Sequence, residues 1–510
     1  MDPEFAATLR TIVGTDNVLE PESPDFASSY ADPFAFTDEF SEPPAGAVLP
    51  RNVDEVQAVV RAANDAGVPL WTISRGRNLG YGGAAPRNSR CVVLDLHLMN
   101  TIRMVDADAA YAVVEPGVSF FDLHAHLRER DIPLWASVPD LGGGSLIGNA
   151  LERGFGYTAY GDHSAFLCGM EVVLPTGELI RTGMAAASDS AQAHMYRGGF
   201  GPSVDGLFQQ SNLGIVTSAG IWLMPEPERA AAVLIGVRRR EDLGSLVDTI
   251  RPLMLNRTID SVAIVGNALA ILSQLMPRQV IFADAGPIPD DVISSMADRI
   301  GIGMWNAKFG LYGPTAIVDA KLATIRAAVS HLADVIVDVR TYSGNVPPEN
   351  VHPADRAQMG IPSSDLIQMA AWRGGTPAHT DFSLVASTDG VEAQRMVDLV
   401  QDIIESAGLD HAGGFTMFGR HAIMLSLLSF DQSDPADRSL VAGLFSELIE
   451  RCAEAGYTPY RAHPAFMDQI ADLYNFNNSA LRRFITTLKD ATDPRGILSP
   501  GKQGIWPSQA

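Results

Sequence analysis

Between residues 48 and 71 the pattern of apolar and polar positions changes period twice. "VLP" and "VPLW" are short apolar runs, and between them Val56, Val59, Val60 and Ala63 recur at the spacing of one helical face within Asp54–Ala66. Gly67 follows as a stop, so the segment reads strand, helix, strand. "CVVLDL" (91–96) and "AYAVVEPGVS" (110–119) read as two further strands separated by a turn. "SFFDLHAHLRERDIPL" reads as a helix capped by Ser119, and "MEVVLPTGELIRTG" (170–183) has hairpin periodicity around "PTGE". To about residue 225 the pattern is that of a glycine-rich α+β unit.

The texture changes at "MPEPERAAAVLIGV". From about 229 to 456, strands such as "AAVLIGV" alternate with longer helices at 241–253, 290–301, 315–333 and 389–407. The last fifty residues return to short elements punctuated by Pro and Gly. The organisation expected is an α+β chain with a first domain over 1–228, a cap domain over 229–456, and a segment over 457–510 that completes the first. A length of 510 residues agrees, since single cores stop growing well before that.

Charge and cysteines narrow the class. A net charge of −23 argues against nucleic acid, which demands a basic face. No run of about 18 apolar residues is present to span a membrane. The opening "MDPEFAATLRTIVG" lacks the basic and apolar segments of a secretory signal, so the cytoplasm is the expected compartment. Cys91, Cys168 and Cys452 lie far apart with no CxxC and no His at ligand spacing. They read as buried small apolar residues, with no disulfide framework and no metal expected.

Candidate chemistry gathers in two glycine-rich loops. "SRGRNLGYGG" (74–83) has four glycines after an apolar strand, and "VPDLGGGSLIGNALERGFGYTAYGDH" (138–163) has seven. Glycines in such turns let successive backbone N–H groups form an anion-binding concavity. The first loop is neither GxGxxG opening a long helix nor GxxxxGK[ST], which disfavours a nicotinamide site or an ATPase. Two such loops in one domain suit a long ligand with a diphosphate in its middle.

The blocks "GRNLGYGGAAP", "VPDLGGGSLIGN", "RGFGYTAYGDH", "QSNLGIVTSAGIWLMP", "YRAHPAFMDQI" and "SPGKQGIW" together resemble the vanillyl-alcohol oxidase family of flavin-dependent 4-alkylphenol oxidases. The resemblance runs from about 48 to 508 and implies an FAD-binding domain with a cap over the flavin ring. It implies a diphosphate loop of Gly76, Arg77, Asn78, Leu79, Gly80, Gly82 and Gly83. Further FAD contacts would come from Leu141, Gly142, Ser145, Asn149, Gly156, Tyr157, Gly214, Ile215, Val216, Arg461 and Lys502. His379 in "GGTPAHTDFSL" matches the histidine that bonds covalently to the flavin 8α carbon. Tyr81, Tyr460 and Arg461 match the family's phenolate anchors, and Asp140 matches an acid close to flavin N5.

That set has a chemical logic. Removing hydride from the benzylic carbon of a 4-substituted phenol is eased when the phenol is ionised, since the phenolate turns the developing cation into a neutral quinone methide. A phenol pKa near 10 must then fall, which takes donors and a cation at the oxygen. Tyr460 and Arg461 are adjacent, so a regular strand would point them to opposite sides, and the reading requires an irregular backbone there. The acid at Asp140 and the histidine at 379 favour the oxidase branch over the cytochrome-coupled branch, which generally lacks the acid and links flavin through tyrosine. Partners implied are a small phenol and dioxygen, with a homodimer or larger assembly. Some positions depart from the pattern: Pro459 stands where relatives commonly carry Glu, and Ile423 and Met424 where they carry a His pair. Arg420 is present and His421 lies two to three positions before that pair, Leu366 stands where an acid is expected with Asp365 one position off, and no counterpart of the N-terminal flavinylation histidine is found. A less polar surround for the substrate side chain follows, which favours desaturation, or bulkier alkyl and methoxy groups, over water addition.

Overall fold

The computed structural model describes residues 1–37 and 42–508. Its first unit is built on two sheets. One runs Val18–Leu19, Gly46–Val48, Val92–Asp95, Leu70–Ile73, and its last three strands are parallel. Parallel strands need a crossover, and the helix Val53–Ala66 supplies it, burying Val56, Val59, Val60 and Ala63. Asn52 caps its start, and Gly67, at φ +66°, ends it in the left-handed conformation. The other sheet is antiparallel, in the order Ile102–Asp106, Tyr111–Val114, Ile215–Trp222, Leu167–Val173, Leu179–Arg181. Against it packs the helix Phe120–Glu129, opened by a capping box between Ser119 and Asp122.

The second unit is one antiparallel eight-stranded sheet. Its order is Ile336–Ser343, Arg229–Val237, Trp305–Gly313, Ala263–Asn267, Ala412–Met417, His421–Asp431, Pro377–Ser387, Pro459–Arg461. Helices Leu243–Leu255, Gly390–Ser406 and Pro435–Glu454 bury their apolar faces on it in the largest core of the molecule. Phe382 meets Phe445 edge to face within that core. The mixed helix-and-sheet architecture is the α+β class read from the sequence.

The C-terminal segment serves both units. Pro459–Arg461 closes the edge of the eight-stranded sheet, while the chain at 497–499 runs beside Leu70, with Leu70 N–H donating to the Ile497 carbonyl at 2.7 Å and Ser499 N–H to the Leu70 carbonyl at 2.7 Å. Between them lies the helical segment Phe476–Thr492, interrupted near its start by Asn477–Ser479, which have left-handed dihedrals. Short elements alone were expected there; the helix is held by Lys489, whose buried ammonium is a tertiary feature with no mark in the local pattern. All three cysteines are buried. No helix among the described residues is long and apolar enough to cross a membrane, and none of their His, Cys, Asp and Glu groups could hold a metal.

Candidate active site

The glycine-rich loop leaves the carboxyl end of Leu70–Ile73, the end of a parallel strand where open α/β sheets leave room for ligands. Backbone N–H groups from Gly76 to Gly80 meet no acceptor among the described residues. A row of free amides at a tight turn is a donor set suited to phosphate oxygens. The second loop is latched to the first by Arg75, whose Nε donates to the Gly143 carbonyl at 2.9 Å and Nη1 to the Gly117 carbonyl at 2.7 Å. Gly148 makes the approach close: a Cβ there would stand 2.3 Å from Ser74 Oγ.

These loops line a cavity of about 870 Å³ that continues beneath the eight-stranded sheet. That is toward the upper end of ligand sites, which run about 300–1,000 Å³. Gly76, Arg77, Asn78, Leu79, Gly83, Leu141, Ser145, Asn149, Tyr157, Gly214, Ile215, Val216, His379 and Lys502 line it, as do Tyr81, Asp140, Tyr460 and Arg461. Four of the glycines singled out do not. Gly80 backs onto His379 and Asp381, Gly82 onto Pro464, Gly142 onto Phe121 and Pro362, and Gly156 onto Ser137 and His163. Their place is between packed elements of the loops, a distinction that a glycine pattern does not carry.

One wall gathers phenols around a guanidinium. Arg461 lies over the Tyr81 ring with its Cζ 4.0 Å from the centroid, and its Nη2 donates to Asn78 Oδ1. The irregular backbone that the adjacent Tyr460 and Arg461 require is present. Ser383 pairs with Arg461 and Leu384 with Pro459, so Tyr460 is the extra residue of a β-bulge. Gln210 Nε2 holds the Tyr460 carbonyl at 3.0 Å, and the Tyr474 hydroxyl holds that of Pro459 at 3.2 Å. Burial raises the Tyr460 hydroxyl pKa while Arg461 pulls it back. Tyr81 is pushed up by its burial and by Asp381, against Arg461 and the Ser383 hydroxyl, 2.5 Å away. Burial works against the Arg461 charge, but Tyr81, Tyr460, Glu152 and Asp381 outweigh it, and its pKa is raised.

A second wall is acidic. Tyr157 donates its hydroxyl to Asp140 Oδ1. Burial pushes the Asp140 carboxyl up to about 6, with Asp381 adding to the rise and Tyr157 opposing it. His379 packs against Phe34 at 4.9 Å between ring centroids, with Nε2 3.7 Å from Asp381 Oδ2 and Nδ1 buried without a partner among the described residues. Lys502 reaches Glu152 at 2.5 Å, and the Glu152 carboxyl, raised by burial, is brought down overall by Lys502 and Arg461.

Several participants were not foreseen. Asp381 and Ser383 follow His379 at a spacing of two on Pro377–Ser387, a strand alternation that would have found them. Glu152 and Arg75 carry no such signal. The register assigned to 420–424 also shifts: Leu425 and Leu427 of His421–Asp431 line the cavity, while Ile423 and Met424 do not. The apolar surround persists with different residues.

An FAD binding domain model matches residues 44–183, and a model of the C-terminal domain of FAD linked oxidases matches 362–503. The flavoprotein subunit of 4-cresol dehydrogenase [hydroxylating] from Pseudomonas putida is 33% identical over 502 residues, covering 98% of this chain and 94% of that one. Among solved structures, 4-ethylphenol oxidase from Gulosibacter chungangensis, in an isoeugenol complex, superposes with a TM-score of 0.92 at 35% identity, covering 99% of this chain and 97% of that one. p-Cresol methylhydroxylase with substrate bound superposes with a TM-score of 0.91 at 31% identity, covering 99% and 96%. With the free amides of the first loop, the joined second loop and the long cavity fitting the cofactor, the chain belongs to the vanillyl-alcohol oxidase/p-cresol methylhydroxylase family of FAD-linked oxidoreductases.

Proposed function

We propose that the chain oxidises 4-substituted phenols at the benzylic carbon and acts as an oxidase. The observation that carries the reading is the convergence of Tyr81, Tyr460 and Arg461 on one wall of the cavity that the glycine-rich loops line. Those loops would hold the FAD diphosphate, and His379 would carry a covalent bond to the flavin. Bound there, FAD supplies a hydride acceptor at N5 and passes the electrons to dioxygen, giving hydrogen peroxide.

The chain's own residues do the rest. Arg461 and the hydroxyls of Tyr81 and Tyr460 hold the substrate oxygen as phenolate, because a desolvated anion is stabilised there by a permanent cation and two aimed donors. The Tyr81 and Ser383 hydroxyls share a 2.5 Å hydrogen bond, and with Ser383 as its donor the Tyr81 proton is left for the substrate. Loss of hydride from the phenolate leaves a neutral p-quinone methide. Asp140, held by Tyr157, serves as base toward attacking water or a side-chain proton. Leu425 and Leu427 add apolar surface to the cavity, which favours alkene over alcohol.

A second reading rests on the similarity to a dehydrogenase subunit: a 4-alkylphenol dehydrogenase that hands electrons to a cytochrome. Reducing the flavin with 4-ethylphenol without oxygen and then admitting air separates the two. Fast reoxidation with stoichiometric peroxide is expected; a reduced flavin that persists in air supports the cytochrome reading. A spectrum unchanged by any 4-alkylphenol overturns both.

A further inference from the structure

Asp381 is an acidic side chain of the cavity that the mechanism above leaves unused. It stands two residues from His379 and two from Ser383 on Pro377–Ser387, so strand alternation turns all three to one face. Ser383 marks the phenol-anchoring end, 2.5 Å from the Tyr81 hydroxyl. His379 stands on the other side of Asp381 along the strand, with its Nε2 3.7 Å from Asp381 Oδ2, beyond hydrogen-bond reach. The Asp381 carboxylate accepts no hydrogen bond among the described residues, although its side chain is only 21% exposed and opens on the cavity.

Its position along the substrate is bracketed. A Cβ on Gly80 would stand 2.9 Å from Asp381 Oδ2, so the carboxylate lies against the α-carbon next to Tyr81. It acts electrostatically on Tyr81, Tyr460 and Arg461 and also on Asp140 and Tyr157. A ring held between those two groups would have Asp381 along its flank.

We propose that Asp381 selects rings carrying a hydrogen-bond donor on the carbon beside the phenol oxygen, so that a 4-alkylcatechol is preferred to a 4-alkylphenol or its methoxy derivative; this rests on the function proposed above. A carboxylate taken out of water without a donor is costly, and a ring hydroxyl supplies one. A ring C–H leaves it unpaired, and a methoxy oxygen sets one acceptor against another. Donation to Asp381 also draws its negative charge away from the neighbouring phenolate, which two unpaired anions would otherwise disfavour.

The test uses the flavin-loaded enzyme without oxygen, following flavin reduction by 4-ethylcatechol, 4-ethylphenol and 4-ethyl-2-methoxyphenol. The catechol is expected to lead the methoxy ring by at least about tenfold in rate over apparent Kd, and Asp381→Leu should bring that ratio close to one. Asp381→Asn, which keeps the shape and one acceptor oxygen, should retain part of the preference. A wild-type ratio of one or less, or a Leu variant that keeps the wild-type ratio, overturns the assignment. If no ring reduces the flavin, the functional reading falls instead. Binding of unreactive catechol against phenol, followed by perturbation of the flavin spectrum, then decides on Asp381: tighter catechol binding that Asp381→Asn weakens supports it, and equal binding overturns it.

Discussion

Asp140 and Arg461 are the residues at which burial and charge are most directly opposed. Arg461 keeps its charge in a buried place because the phenols of Tyr81 and Tyr460 and the carboxylates of Glu152 and Asp381 around it favour the charged form. Replacing it with Ala should lower anaerobic flavin reduction by 4-ethylphenol by about 10²–10³-fold, the usual worth of a preorganised charge-stabilising group. Stopped-flow absorbance measures it, and an effect below tenfold would remove Arg461 from the anchor. Asp140, at about 6, is mostly protonated below that pH and mostly ionised above it. As a base it should give a rate that rises with pH through about 6, and Asp140→Asn should remove that limb. The stability effect has the opposite sign. A carboxyl raised above its unfolded value favours the fold when protonated, fully so below about pH 4, and loses that contribution as pH rises through about 6. Asp140→Asn should therefore stabilise the protein at pH 8 by about 1–3 kcal/mol, the worth of a shift of this size, and much less at pH 4, as urea unfolding would show.

At the scale of elements, the bulge at Tyr460 and the C-terminal clamp decide what meets what. Lys489 on the helix Phe476–Thr492 donates to the carbonyls of Asn212 at 3.0 Å and Leu498 at 2.8 Å and to Asp493 at 2.7 Å. Asp493 in turn accepts from the Ile497 and Leu498 amides. The clamp therefore fixes the chain beside Leu70, just before the glycine-rich loop. Lys489→Leu leaves Asp493 buried without its cation and should cost about 3–5 kcal/mol, read by urea unfolding. Restoration to the wild-type midpoint by the double variant Lys489→Leu/Asp493→Leu is not expected, since Asp493 also holds two backbone amides. Helix and strand positions such as Val53–Ala66 and Phe120–Glu129 were legible from periodicity and caps, because those signals are local. The clamp was not, since its partners lie far apart in the chain.

For the whole molecule, residues of both units line the cavity, and the strands of those units come from distant parts of the sequence, so a cofactor held there would touch both. Acid precipitation of the wild type should leave flavin in the pellet, whereas His379→Ala should release free FAD to the supernatant. In that variant the melting temperature should rise with added FAD, since a reversible ligand at 100 times its Kd stabilises by about 2.7 kcal/mol. Flavin released from the wild type would refute the covalent bond.

The sequence alone determined the local grammar: which segments are helix or strand, where glycine turns leave amides free, and which residue types could ionise a phenol. These follow from side-chain period, backbone freedom and intrinsic chemistry, all properties of neighbours along the chain. Tertiary structure decided which glycines face the cavity and that Leu425 and Leu427 replace the expected pair on its wall. It also set Asp381 beside Tyr81 and turned Tyr460 and Arg461 to one side. Those outcomes depend on register, where one residue of slip exchanges the two faces of a strand, and on a bulge that only the pairing strand defines.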